Sequence, residues 1–180
     1  MKPATILLTG LATVLAYLTL TQQGKEFARK IGNTIMDIPQ YGIDLIKDIE
    51  KFSAKAYRDA GGFSIGYGHF IKPGENFTTL SEQQASALLA ADTANAAAVI
   101  KRYVTVPLNV NQTSALLSFV YNVGEGQFRT STLLKKLNAG DYAGAANQFA
   151  VWNKTHSGGV LVVSPALIAR RVTEKSTFLA

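Results

Sequence analysis

Three side chains able to run acid–base chemistry fall within fifteen positions of one another: Glu50, Asp59 and Ser64. Glu50 follows Ile43, Ile46 and Ile49, whose spacing predicts an amphipathic helix. Asp59 stands at the head of a stretch dense in glycine (Gly61, Gly62, Gly66 and Gly68), which reads as a tight hairpin. A carboxyl at a helix end and another at a hairpin's start can face each other across a gap without touching. Ser64, returning on the second strand, can turn its hydroxyl to the same gap. Glycoside hydrolysis needs such a set, with one carboxyl protonated to donate to the leaving oxygen and the other ionised near the developing cation. A hydroxyl beside the second carboxylate can hold the attacking water. The same residues also fit a helix-surface Glu followed by a turn-forming Asp, and spacing alone does not choose between the two.

Composition narrows the chemistry. The chain has no cysteine, which excludes disulfides, thiol nucleophiles and cysteine-ligated metals. The two histidines, His69 and His156, are too few for a histidine-rich zinc site, so no metal and no cofactor is expected. His69 closes the glycine-rich stretch and reads as a structural histidine near the site, paired with an acid, rather than as a general base; His156 reads as an exposed loop residue. The net charge of +6 suits nucleic acid, anionic lipid or an acidic cell-wall polymer. The basic residues are scattered, and neither zinc-finger spacing nor an RNP-type aromatic motif is present, so nucleic acid is not the expected partner.

The elements that must position these residues follow from periodicity and caps. Ser81 with Gln84 three residues later predicts a capped helix running to about Tyr103, and Pro107 ends that region. Residues 111–122 predict a short buried helix closed by Gly124 and Gly126. Thr130 to Leu137 and Asp141 to Trp152 predict two more, divided by Asn138-Ala139-Gly140. Residues 153–164 read as a loop or small hairpin, and Ser164-Pro165 starts a last helix carrying Arg170 and Arg171. One of these arginines is expected to pair with Glu50 or steer an anionic glycan, the other to face water. The Asn122 amide suits sugar hydroxyls, although it could equally satisfy backbone at a helix end. Tyr57, Tyr67 and Trp152 read as packing residues. The fold class is α+β, mainly α, with one small β-hairpin near the domain's start.

Ahead of this domain, Pro3 to Gly24 carries no charge, with five threonines, three alanines and two glycines among its apolar residues. As a helix rising about 1.5 Å per residue it could just cross a hydrocarbon core of about 30 Å, and weakly. We expect residues 1–24 to be a releasable membrane anchor, 25–42 a connector and 43–180 the catalytic domain. A cleaved signal peptide, a permanent anchor and a buried core helix are the alternatives. Lys25, Arg29 and Lys30 run against export by the positive-inside rule.

Beyond Glu50 and Asp59 stand Ile65-Gly66-Tyr67-Gly68-His69 and Tyr121-Asn122-Val123-Gly124. After these come Ser131 to Leu137, Trp152-Asn153-Lys154 and Leu167 with Arg170-Arg171. In this order, over about residues 43–178, the chain resembles the phage-type lysozymes, glycoside hydrolase family 24. The resemblance implies a lysozyme-like fold of two lobes, an N-terminal hairpin lobe and a helical C-terminal lobe joined by a long helix, here preceded by an N-terminal hydrophobic helix. It implies Glu50 as general acid, Asp59 as second carboxylate and Ser64 as the water-positioning hydroxyl; Asn122 and Arg170 are expected at the substrate from their own chemistry, as above. The implied reaction is cleavage, with inversion, of the bond between N-acetylmuramic acid and N-acetylglucosamine in peptidoglycan. The weakly apolar leader is similar to that of signal-anchor-release endolysins, which implies an inner-membrane tether facing the periplasm, then release as a monomer to lyse the host. Two departures stand out. Ser64 replaces the family's threonine, and the interval from Asp59 to Ser64 is one residue shorter, which Gly61-Gly62 is expected to absorb in a tighter turn. A catalytically inactive, membrane-tethered peptidoglycan-binding protein, a lytic transglycosylase and a membrane-disturbing cationic helix are the rival readings.

Overall fold

A computed structural model describes residues 38–59 and 62–180. The anchor expected over 1–24 and the connector as far as residue 37 lie outside the described residues, as do Ala60 and Gly61 of the hairpin turn. Among the described residues no helix is long and apolar enough to cross a membrane.

The chain begins with helix α1 (Gln40–Glu50), which starts within the expected connector. Its buried Gly42, Leu45 and Ile46 share one face. Gly42 lies so close to the central helix that a Cβ there would stand 3.2 Å from the Ser114 Cα. After Glu50 the backbone turns sharply at Lys51, whose φ of 59° is rare for a residue with a side chain. The chain then enters a three-stranded antiparallel sheet, β1 (Ser53–Asp59), β2 (Gly62–Gly66) and β3 (His69–Phe70), paired in that order. The expected single hairpin is therefore larger: its first strand starts at Ser53, and a third strand is added at His69. Asp59 pairs with Gly62 and Tyr57 with Ser64.

Helix α2 (Glu82–Tyr103) bears out the capping box. Ser81 accepts from the Gln84 backbone, and the Gln84 side chain accepts from the Ser81 backbone. Ala85, Leu89, Thr93, Ala96 and Ile100 bury one stripe, which packs on both the sheet and the helices, so α2 joins the two lobes. Helix α3 (Val110–Thr130) is the centre of the larger lobe: every residue from Ser114 to Val120 is buried. Gly124, at φ 78° and ψ 166°, kinks it where the sequence predicted an end, and a further helical stretch reaches Thr130.

Helix α4 (Thr132–Asn138) and helix α5 (Tyr142–Gln148) follow, then a 3-10 turn over Phe149–Val151. A two-stranded hairpin, β4 (Lys154–Ser157) with β5 (Val160–Val163), stands where a loop or hairpin was expected. Helix α6 (Pro165–Leu179), capped by Ser164, closes the chain against α3. The larger lobe's core is built on aromatic rings. Phe119 meets Phe149 and Trp152 edge to face at 5.2 and 5.5 Å between centroids, and Phe149 continues to Phe178.

Candidate active site

Helix α1 delivers Glu50 at its last residue, where the side chain can leave the helix towards the sheet lobe. Strand β1 ends on Asp59, and α3 contributes Asn122 just before its kink. All three, with Tyr57, Trp152 and Arg170, line one groove of about 670 Å³ between the sheet and the helical lobe. A second cavity of about 320 Å³, lined by Gly68, His69, Phe70, Asp92, Tyr121 and Gly124 among others, shares no lining residue with this groove. Gly68 lies against the Glu50 carboxyl. A Cβ added there would stand 3.0 Å from Glu50 Oε2, and φ is +83°, so this position favours glycine twice over.

Glu50 Oε1 accepts a hydrogen bond from Arg170 Nη1, an ion pair whose arginine is buried and whose carboxylate remains partly open to the groove. Arg170 Nε donates to Glu174 Oε1 at 2.9 Å, and its Nη2 donates to the Ser118 carbonyl at 2.9 Å. The neighbouring Arg171 does not face water, contrary to expectation. It is 2% exposed, stacks on Phe119 at 4.9 Å from the ring centroid, and donates to Glu174 Oε2, Asn122 Oδ1 and the Trp152 carbonyl. Its burial, the largest influence, lowers its pKa; repulsion from Arg170 adds to this against the opposing pull of Glu174.

Ser64 is buried at 1% exposure, and its Oγ donates to Asp59 Oδ2 at 3.3 Å, so the hydroxyl touches the second carboxylate from behind the groove. Tyr57 is more exposed than a packing residue, and it lines the groove. Burial raises its phenol pKa first, then the charges of Glu50 and Asp59, so both carboxylates act on the same small space. Tyr67 is buried in the core, whereas Trp152 packs against the core half-buried and also lines the groove. His69 lies outside the main groove: Nδ1 is 2.6 Å from Asp92 Oδ2 and Nε2 is 3.1 Å from Glu75 Oε2. The sequence reading expected one acid partner for His69, and two carboxylates flank it. His156 is exposed, on a strand rather than a loop.

Sequence reasoning missed Glu174, the acid beneath the groove. Its signal was present: it stands four residues after Arg170 and three after Arg171, the spacings at which helical side chains meet. Among the described residues, no cluster of acids and histidines is arranged to hold a metal. Two carboxyl groups on one groove, with a cation on the first and a hydroxyl on the second, are the groups that could exchange a proton with a leaving oxygen and orient water.

This two-lobed arrangement defines a lysozyme-like fold. It is similar to the endolysin of Escherichia coli O157:H7 phage FAHEc1, with a TM-score of 0.74 and 33% identity over 79% of this chain and 92% of that one. Residues 47–174 match the phage lysozyme family, and the chain belongs to it. It is 42% identical to an endolysin of Acyrthosiphon pisum secondary endosymbiont phage 1, over 79% of this chain and 98% of that protein. A SAR-endolysin of bacteriophage PS119 is 40% identical over 73% of this chain and 77% of its own length. The chain spans only about half the length of its Bacillus phage relatives.

Proposed function

We propose that this chain is an endolysin that hydrolyses the β-1,4 bond between N-acetylmuramic acid and N-acetylglucosamine in peptidoglycan, lysing the host cell. The observation that carries the reading is Glu50 held by Arg170 at one groove with Asp59. In this mechanism Glu50, protonated, gives its proton to the bridging oxygen as the bond breaks. Asp59, ionised, offsets the positive charge developing on the sugar and takes the proton of the attacking water. Ser64 works through Asp59: its donated hydrogen bond orients the carboxylate that holds the water. Asn122, on the same groove, serves the substrate, and Arg170 serves it through the Glu50 carboxyl it holds. The glycan lies along the groove past Glu50, where glycine at position 68 leaves room for the carboxyl.

The leader, residues 3–24, serves as a releasable inner-membrane anchor facing the periplasm, followed by the connector and the domain over 43–180. The SAR-endolysin relatives support this assignment, and the released enzyme acts as a monomer on the cell wall. No nucleic acid takes part.

Purified protein added to chloroform-treated Gram-negative cells should clear them, and Glu50→Gln should lose roughly a hundredfold or more of that rate, the scale of general acid catalysis. Equal clearing by both proteins would remove Glu50 from the mechanism. Product masses carrying one added water identify hydrolysis, whereas anhydro sugars would identify a lytic transglycosylase. Fractionation with and without a membrane depolariser tests the anchor, which requires that activity appear with release.

A further inference from the structure

Both Arg170 and Arg171 are buried, one directly against the groove acid. Left alone, two guanidinium charges beneath Glu50 would hold that carboxyl ionised, the wrong state for a proton donor. The compensating charge is Glu174. It is fully buried, and both of its oxygens are engaged: Oε1 accepts from Arg170 Nε at 2.9 Å and from the Ser118 hydroxyl at 2.7 Å, while Oε2 accepts from Arg171 Nη1. Each arginine also donates in a different direction, Arg170 to Glu50 and Ser118, Arg171 to the Asn122 amide oxygen and the Trp152 carbonyl.

We propose that Glu174 is a positioning residue for the reaction, fixing Arg170 against Glu50 and Arg171 against Asn122 while cancelling one of the two cations that would otherwise keep Glu50 ionised. The inference rests on the reading of Glu50 as general acid. Other groups also bear on Glu50. Asp59 and Tyr57 come from β1, and Tyr121 from α3, its phenol pushed up by burial, by Asp92 and by Glu50. None of these touches both arginines; Glu174 does.

The test measures reducing ends released from peptidoglycan sacculi across pH, with thermal unfolding alongside, for the full chain and three variants. Glu174→Gln keeps an acceptor for Arg170 but removes the charge. The alkaline limb of its rate profile should move down by about one pH unit, with kcat near neutrality lower by about tenfold and KM little changed. Glu174→Asp should leave the limb in place, since the charge is kept. Arg171→Met, which removes a cation and leaves Glu174 to Arg170, should move the limb upward. A Glu174→Gln protein that melts earlier but keeps the original limb overturns the proposal, because a merely structural residue would behave in that way. If Glu174→Gln does not fold, Arg171→Met decides: an upward limb supports the proposal and an unmoved one overturns it. Glu50→Gln run in the same assay separates the two readings. Activity surviving in that variant strikes the acid itself, whereas a dead Glu50→Gln beside an unmoved limb strikes only the role of Glu174.

Discussion

Replacing Asp92 by Asn should destabilise the protein strongly at mildly acidic pH and weakly at alkaline pH. His69 is 5% exposed and sits between two carboxylates, 2.6 Å from Asp92 and 3.1 Å from Glu75. Burial acts most strongly and would lower its pKa, but the hydrogen bonds and charges of Asp92 and Glu75 together outweigh it and hold the pKa above the ordinary 6.5. The folded protein therefore binds this proton more tightly than the unfolded chain. The resulting stability is complete below the unfolded value, down to where the carboxylates protonate, and is lost as pH rises through the folded value. A hydrogen bond between charged groups contributes about 1.5–3 kcal/mol, and Asp92 retains 19% exposure, so about 2 kcal/mol is expected from this pair near pH 5. For a chain of this size that is a melting shift of roughly 4–8 °C. Asn preserves the shape and an acceptor oxygen, which isolates the charge. Urea unfolding of both proteins near pH 5 and near pH 9 measures the difference, which should fall to about 1 kcal/mol or less at the higher pH. A difference that is constant, or that grows with pH, would refute a charged His69.

Two further substitutions separate stability from activity. Gly68→Ala should lose about 1–2 kcal/mol for its left-handed backbone and also push the Glu50 carboxyl by a few tenths of an ångström, lowering kcat/KM about tenfold; a stability loss with full activity would show that Glu50 tolerates the contact. Ser81→Ala removes half of the α2 capping box, and should lower the melting temperature by about 2–4 °C without altering hydrolysis, as calorimetry and a clearing assay will show.

The legible parts of this molecule are those decided within a few residues. The capping box at Ser81, the serine–proline start of α6 and the glycine-rich return through Ser64 all depend on neighbours in the chain, and each appears where expected. Strand β1 was harder, because Ser-Ala-Lys-Ala carries no β-forming signal; its position is fixed by pairing with β2. The helix beyond Gly124 was hidden by the glycine that kinks it. In the site, the types and spacing of Glu50 and Asp59 suggested the chemistry. The orientations of Arg170 and Arg171 were not legible, because a charged side chain is buried only when a partner elsewhere accepts it, and that partner is set by how α6 docks on α3.

Why two consecutive arginines should be buried at all follows from helix geometry. At 3.6 residues per turn, neighbours point about 100° apart, so Arg170 and Arg171 diverge, yet Glu174 lies within reach of both. Arg170 uses three nitrogens on four partners, Glu174, Glu50 and the carbonyl and hydroxyl of Ser118. A lysine has one nitrogen and cannot span them. Removing such charges from water costs several kcal/mol per ion, and an apolar cluster of equal volume would serve stability as well or better. The cost is contained here because, among the described residues, no buried side-chain nitrogen or oxygen lacks a hydrogen-bond partner. What an apolar cluster could not do is hold a cation on Glu50 and another on Asn122 while sharing one counter-charge between them. The network is therefore better explained by the groove it serves than by the stability it gives, and substitutions within it should disturb the pH dependence of the reaction out of proportion to their effect on melting.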